Sequence, residues 1–151
     1  MKVRIVKVDE VQLLQCMRGK VWGSNRSRFA RWTSGDSLAF VVQKYVAALA
    51  QICGEQFIDD EPIWENGLFP FRIPLEFTHF LLPDNRPEIT DKLKKAFISG
   101  NNRTNYGSYM GTQSPIPPRA ASLMLAIIRE RPNSLMAQKI VPISGPQGRV
   151  G

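Results

Sequence analysis

Ser37 to Ile58, SLAFVVQKYVAALAQICGEQFI, is the stretch on which the architecture turns. Its first part, Ser37 to Tyr45, is rich in β-branched and aromatic side chains and reads as a strand. The run Val46-Ala47-Ala48-Leu49-Ala50 would also suit a helix. Gly54 and the β-branched or aromatic flanks fit a sheet better, so Val46 to Ile58 is read as a second strand. The hairpin then turns near Gln43-Lys44, and the domain is built on a sheet.

Working outward, Phe71 to Phe77 (FRIPLEF) alternates cleanly and makes a further strand, with Pro74 implying an edge or a bulge. Val3 to Val8 (VRIVKV) alternates apolar and basic residues, as an opening strand with one buried face does. Asp9 can cap a short helix, VQLLQCMRG, that stops at Gly19. The following residues around Trp22 read as irregular and polar, Thr33 to Asp36 as a turn, and Asp59 to Pro70 as a loop. Thr90 can cap DKLKKAFI, with Leu93, Phe97 and Ile98 inward and Lys92, Lys94 and Lys95 solvated. Ser99 to Pro118 reads as one long polar loop, a length that marks function or disorder in compact domains. Arg119 to Arg131 is the clearest helix, bracketed by Pro117-Pro118 and Pro132. From Asn133 the composition loosens into SGPQGRVG, so the chain divides into a domain over 1–132 and a flexible tail or linker over 133–151. The sum is an α+β fold: a twisted mixed sheet or small open β-barrel flanked by short helices.

A chain of 151 residues with 43% hydrophobic content makes one ordinary domain and excludes wholesale disorder. Twenty Lys and Arg against 13 Asp and Glu give a net charge of +7, which favours an anionic partner. The charge is also segregated. Val11 to Gly35 holds five basic residues and no acid, and Glu55 to Glu65 holds five acids and no base. A surface that tracks phosphates needs such separation. Two cysteines without a CxxC pair, and His79 as the single histidine, argue against a structural metal, and no cofactor is expected. Cys53, after the apolar run AALAQI, reads as a small buried packing residue. Free thiols fit a reducing cytoplasm. Met1 to Val6 is too short and too charged for a signal peptide. No apolar run reaches the roughly 18 residues of a membrane span, so a membrane is not an expected partner.

The candidate site lies in Lys20 to Trp32, KVWGSNRSRFARW, taken together with Trp64. Indole faces interleaved with Asn and Ser groups and guanidiniums suit a flat ligand, such as an extruded nucleobase, next to phosphates. Gly23 lets backbone approach the base closely, so amides and carbonyls of Gly23, Ser24 and Asn25 can read its edge. The Asn25 amide matches adenine's donor and acceptor together. Lys20, Arg26, Arg28, Arg31 and, in the polar loop, Arg103 are the candidates for phosphates. Trp32 keeps a packing role. Asp59, Asp60 and Glu61 resemble a metal-dependent nuclease site at first sight, but three consecutive carboxylates on a loop fit a solvated turn better.

Four pieces in order, KVWGSN, GDSLAF, DDEPIW and FPFRIPLEF, resemble the PUA-like EVE and YTH domains. The loop Gly111 to Pro117, GTQSPIP, resembles the Asp-Thr-Gln-Glu-Val-Pro stretch of YTH domains, and NNRTNYG resembles their Asn-rich approach to it. The resemblance implies that Trp22 and Trp64 wall a cage around a modified base, with Leu68, Phe69 and Tyr109 as candidates for the third wall. Met110 stands where YTH domains carry a phosphate-binding arginine. Related domains read DNA at the N-terminus of McrBC-type restriction systems, and the C-terminal tether fits a fusion to an effector NTPase or nuclease. The expected function is therefore non-catalytic recognition of a flipped, methylated base (N6-methyladenine or 5-methylcytosine), with modified DNA favoured as partner. A reader of modified RNA, or a tRNA-binding PUA-like module, is the alternative.

Overall fold

The hairpin expected at Gln43-Lys44 forms the centre of the sheet. In this computed structural model, which describes residues 1–98 and 106–135, β3 (Ser37–Val42) and β4 (Tyr45–Ile52) pair antiparallel across it. Gln43 takes a left-handed φ of 58° to close the turn. β1 (Val3–Val8) lies parallel to β3, and β6 (Phe71–Phe80) lies antiparallel to β4. With β2 (Val21–Ser24) on the far side of β6, the order is β1-β3-β4-β6-β2, and the two-residue β5 (Phe57–Ile58) also pairs with β6. The result is a mixed, open sheet with short helices on its faces, the α+β architecture read from the sequence.

Period-two alternation builds two cores. Val6, Val8, Leu38, Phe40, Ala48 and Ala50 face one side, under Leu13 and Cys16 of α1 (Glu10–Gly19) and under Trp64. Ile5, Ala39, Val41 and Leu49 face the other side. There they meet α2 (Asp91–Ile98), α3 (Tyr106–Thr112) and α4 (Pro118–Arg129) through Leu93, Phe97, Tyr109, Met124 and Ile128. Each large apolar side chain so buried contributes about 1.5–3 kcal/mol. Asp9 caps α1 as expected, in a reciprocal box: Gln12 N–H donates to Asp9 Oδ1 at 2.7 Å, and Gln12 Oε1 accepts from Asp9 N–H at 2.9 Å.

Several expectations are corrected. The Trp22 stretch begins as a strand, because Lys20 turns the chain out of α1 with a φ of 55° and its carbonyl accepts Leu75 N–H at 2.8 Å. The second strand stops at Ile52. At Gly54 a Cβ would lie 2.9 Å from Pro74 Cγ, and the chain leaves the sheet there. Pro74 sits in an interior strand rather than at an edge, at the point where β6 passes from β2 to β4 as its partner. Cys53 is exposed, and Cys16 is the buried thiol. Ile98 is 47% exposed.

The polar loop contains a helix. α3 has poor intrinsic propensity, with Gly107 and Gly111, and is held by Tyr109, whose ring packs 5.7 Å from Phe97. Asn133 and Leu135, among the first residues of the expected tail, are docked. The Asn133 side chain accepts Phe80 N–H at 3.1 Å and donates to Thr78 O at 2.9 Å, and Leu135 packs against the first core. The remainder of that segment, 136–151, lies outside the described residues. No helix among the described residues is long and apolar enough to cross a membrane.

Candidate nucleic-acid interface

β2 and the loop before β6 together enclose a cavity of about 390 Å³. Trp22, Trp64 and Phe69 supply its aromatic lining, while Gly23, Ser24 and Asn25 supply its backbone edge. Arg26 and Arg28 stand at its mouth, and neither is ion-paired among the described residues. Two lining residues were not named as site residues from the sequence, Gln12 from α1 and Gln113 from the quoted stretch Gly111 to Pro117 after α3. Both indoles border one cavity.

The Trp64 wall is deeply set. Trp64 is 8% exposed, its indole N–H donates to Cys16 Sγ at 3.3 Å, and Phe69 meets its ring edge-on at 5.5 Å. Burial, only partly offset by that indole hydrogen bond, pushes the Cys16 thiol from 9.0 up to about 12, so it stays a neutral thiol at physiological pH and is no nucleophile. Phe69 takes a left-handed φ of 46°, a conformation bulky side chains rarely adopt and one that clusters at functional sites. Behind the ring lies Arg72, fully buried on β6, with its guanidinium 5.3 Å from the Trp64 ring centre. Arg72 donates to the carbonyls of Glu61, Leu68 and Phe69 and pairs with Asp59 at 3.5 Å. One side chain therefore gathers the whole loop that carries Trp64. Strand alternation pointed Arg72 to the polar face, and the sequence reading missed it for that reason.

The Trp22 wall is built differently. Its indole N–H donates to Gln113 Oε1 at 3.2 Å, and its ring meets Phe40 edge-on at 5.9 Å. Gln113 itself takes a φ of 56°, with its N–H donating to Tyr109 O at 2.7 Å at the end of α3. Between the walls, Gly23 is obligatory. A Cβ there would lie 2.6 Å from Trp64 Cη2 and 2.9 Å from Phe69 Cβ.

Not every expected residue reaches the slot. Tyr109 is fully buried in the opposite core, its hydroxyl donating to Phe97 O at 3.3 Å, because the aromatic it packs against lies on the helical face of the sheet. Phe69, rather than Tyr109 or the exposed Leu68, completes the aromatic lining. Lys20 borders a different cavity with Met17 and Cys53, since its left-handed turn aims it away from β2. The Arg31 side chain is exposed outside the slot, and its carbonyl accepts from Arg4 at 3.3 Å. Arg103 lies outside the described residues. Trp32 packs edge-on against Phe29 at 4.7 Å with the Arg4 guanidinium 4.8 Å from its ring centre. Asp36 anchors this segment: burial works to raise its carboxyl, but the Lys2 and Thr33 N–H groups and Arg4 outweigh that and hold it below the usual range. Asp59 is engaged by Arg72 and by Glu61 N–H at 2.9 Å, as a loop-closing group.

A larger cavity of about 1040 Å³ opens beside Gln12, at the end of β1 and the β3–β4 turn. It offers no pair of aromatic faces, and its cations are largely neutralised. Arg86 makes a two-pronged pair with Glu10 at 2.5 and 2.8 Å, which holds the Glu10 carboxyl below its usual range, and Lys44 pairs with Glu88 at 3.5 Å. The smaller slot is the better fit to a flat ring.

No protein-family profile and no curated protein matches the sequence. Solved structures do share the fold. The YTH domain of the Zygosaccharomyces rouxii MRB1 protein, in complex with N6-methyladenosine RNA, matches with a TM-score of 0.63 at 13% identity, covering 84% of this chain and 86% of that one. The Toxoplasma CPSF4 YTH domain, in complex with a 7-mer m6A-modified RNA, gives 0.65 at 14% identity, covering 87% and 93%. The Pho92 YTH domain in complex with m6A gives 0.64 at 13% identity, covering 84% and 85%. The EVE/YTH-type fold expected from the motifs is thus present. These neighbours lend no support to the likeness with McrBC-type DNA readers.

Proposed function

We propose that this chain is a non-catalytic reader of a modified base in RNA, and that N6-methyladenine is the base it takes into the slot. The observation that carries this reading is the slot itself: two indoles and Phe69 lining about 390 Å³, with two arginines at the mouth that have no ion pair among the described residues. The complexes in which the structural neighbours were solved support RNA over the DNA-targeting role expected from sequence. A base extruded between the rings gains about 1–3 kcal/mol per aromatic contact. A methyl group on its exocyclic nitrogen adds dispersion contacts and sheds hydration at little cost, which sets discrimination at about 1–3 kcal/mol. Asn25 and the backbone of Gly23 and Ser24 read the base edge. Arg26 and Arg28 take the adjoining phosphates, offsetting the cost of unstacking, a few kcal/mol. Ser24 Oγ accepts Arg26 N–H at 3.1 Å and so directs the chain toward the mouth.

The test is an affinity panel of RNA and DNA oligonucleotides, each with and without the methyl group, against wild type and Trp22→Ala. The expected result is a methyl-dependent preference for RNA that the substitution abolishes. Preference for DNA would return the reading to the restriction-type role, and equal loss on methylated and unmethylated RNA would reduce the slot to general stacking.

A further inference from the structure

We propose that a notch between α2 and α4 is a second phosphate site, gripping the RNA strand a few nucleotides from the base held in the slot; this rests on the RNA reading above. The notch is a cavity of about 360 Å³ lined by Lys92, Lys95, Ala96 and Arg119. Three of its four lining residues are cations, and Ala96, 4% exposed, forms the floor. The helices present these cations because Leu93 and Phe97 of α2 and Ala120 of α4 turn into the core, leaving Lys92, Lys95 and Arg119 exposed.

What distinguishes the notch is the absence of compensation. Around the larger cavity, Arg86 and Lys44 are answered by Glu10 and Glu88. Lys92, Lys95 and Arg119 have no ion pair among the described residues. Three like charges converging on one concavity repel each other, and an anion with several oxygens relieves that repulsion while accepting hydrogen bonds from all three. A chain of phosphates supplies such anions. The distance to the slot is short. Gln113 lines the slot and Arg119 lines the notch, and six residues span at most about 22 Å even fully extended. A strand leaving the slot past Gln113 brings its phosphates to the notch within a few nucleotides. Arg26 and Arg28 then hold the strand next to the base, and the notch holds it farther along.

The experiment compares wild type with Lys92→Ala/Lys95→Ala/Arg119→Ala in the full chain. The ligands are a trinucleotide centred on N6-methyladenine and the same RNA extended by about six nucleotides on the 5′ or the 3′ side. Wild type gains affinity on extension. The triple variant loses about tenfold or more on the extended RNA at low salt, and its slope of log K against log salt is shallower by about 0.7, the value for the one phosphate that the variant leaves unneutralised. Affinity for the trinucleotide and the preference for the methyl group stay at wild-type values, and Lys92→Arg/Lys95→Arg retains the extended-RNA affinity. Wild-type affinity and salt slope on extended RNA in the triple variant would overturn the proposal, as would an equal loss on the trinucleotide. If wild type shows no methyl preference, the slot reading fails by itself, because the dependence on length and salt reports on the notch independently.

Discussion

The two indoles that line the slot are anchored in opposite ways. Trp64 is 8% exposed, wedged over Gly23, with Arg72 behind its ring and a buried thiol on its N–H. Trp22 is half-buried on a short strand, and its N–H is held by one side chain that comes from 91 residues away. The first wall is part of the core that happens to border a cavity. The second is a half-buried ring that meets Phe40 edge-on and is steered by Gln113.

The largest effect should come from Trp64→Ala, which empties a core position and is expected to cost about 3–5 kcal/mol of stability as well as binding, read by denaturant unfolding. A loss no larger than that of Trp22→Ala would break the contrast. Gly23→Ala drives a Cβ against Trp64 and Phe69 and should cost about 1–3 kcal/mol, with binding abolished because the fixed wall is displaced. Trp22→Ala should reverse the balance: about 1–3 kcal/mol of binding lost, with stability within about 1 kcal/mol of wild type. Gln113→Gly relieves the left-handed φ but removes the hydrogen bond to Trp22, so stability should hardly move while affinity drops several-fold, a net bond being worth about 0.5–1.5 kcal/mol.

The smallest effects sharpen the contrast by pH. The Cys16 thiol titrates at about 12 instead of 9.0, so its contribution is complete below pH 9.0 and is lost as the pH rises toward 12. The Trp64 side should loosen in alkali, and Cys16→Ala should remove that dependence. Asp36 lies the other way. Its folded carboxyl titrates below the ordinary 3.8, so its contribution is complete above that value and is lost as the pH falls through the depressed one. Trp32 fluorescence should report the acid change, because Arg4 lies between Asp36 and the Trp32 ring, and Asp36→Asn should flatten it.

Much of the fold could be read from local pattern and composition. β1 and the first part of β6 carry period-two patterns, the β3–β4 hairpin is marked by β-branched and aromatic content, and α1, α2 and α4 carry capping or proline signals at their ends. α3 could not be read, because its glycines oppose a helix and only Tyr109, meeting Phe97 from a distant segment, holds it. Cys53 was misjudged because an apolar run says nothing about where a strand leaves its sheet. Of the candidate site, Trp22, Gly23, Ser24, Asn25, Arg26, Arg28, Trp64 and Phe69 converge on one cavity. Arg72 was invisible as a site residue because its partners lie on the loop before its strand, and Gln113 stood in a quoted motif without its role, because its bond to Trp22 spans 91 residues. Gln12 showed only its local capping role.

The capping box of α1 carries a consequence beyond helix stability. Gln12 spends its oxygen on the Asp9 N–H, and Gln113 spends its oxygen on Trp22. In both residues the amide nitrogen, which only donates, is left for a ligand, while each engaged oxygen keeps a second lone pair. The slot therefore presents donor hydrogens from two sides, beside the Asn25 amide that both donates and accepts. A ring edge that carried only donors would leave the two glutamine nitrogens unanswered.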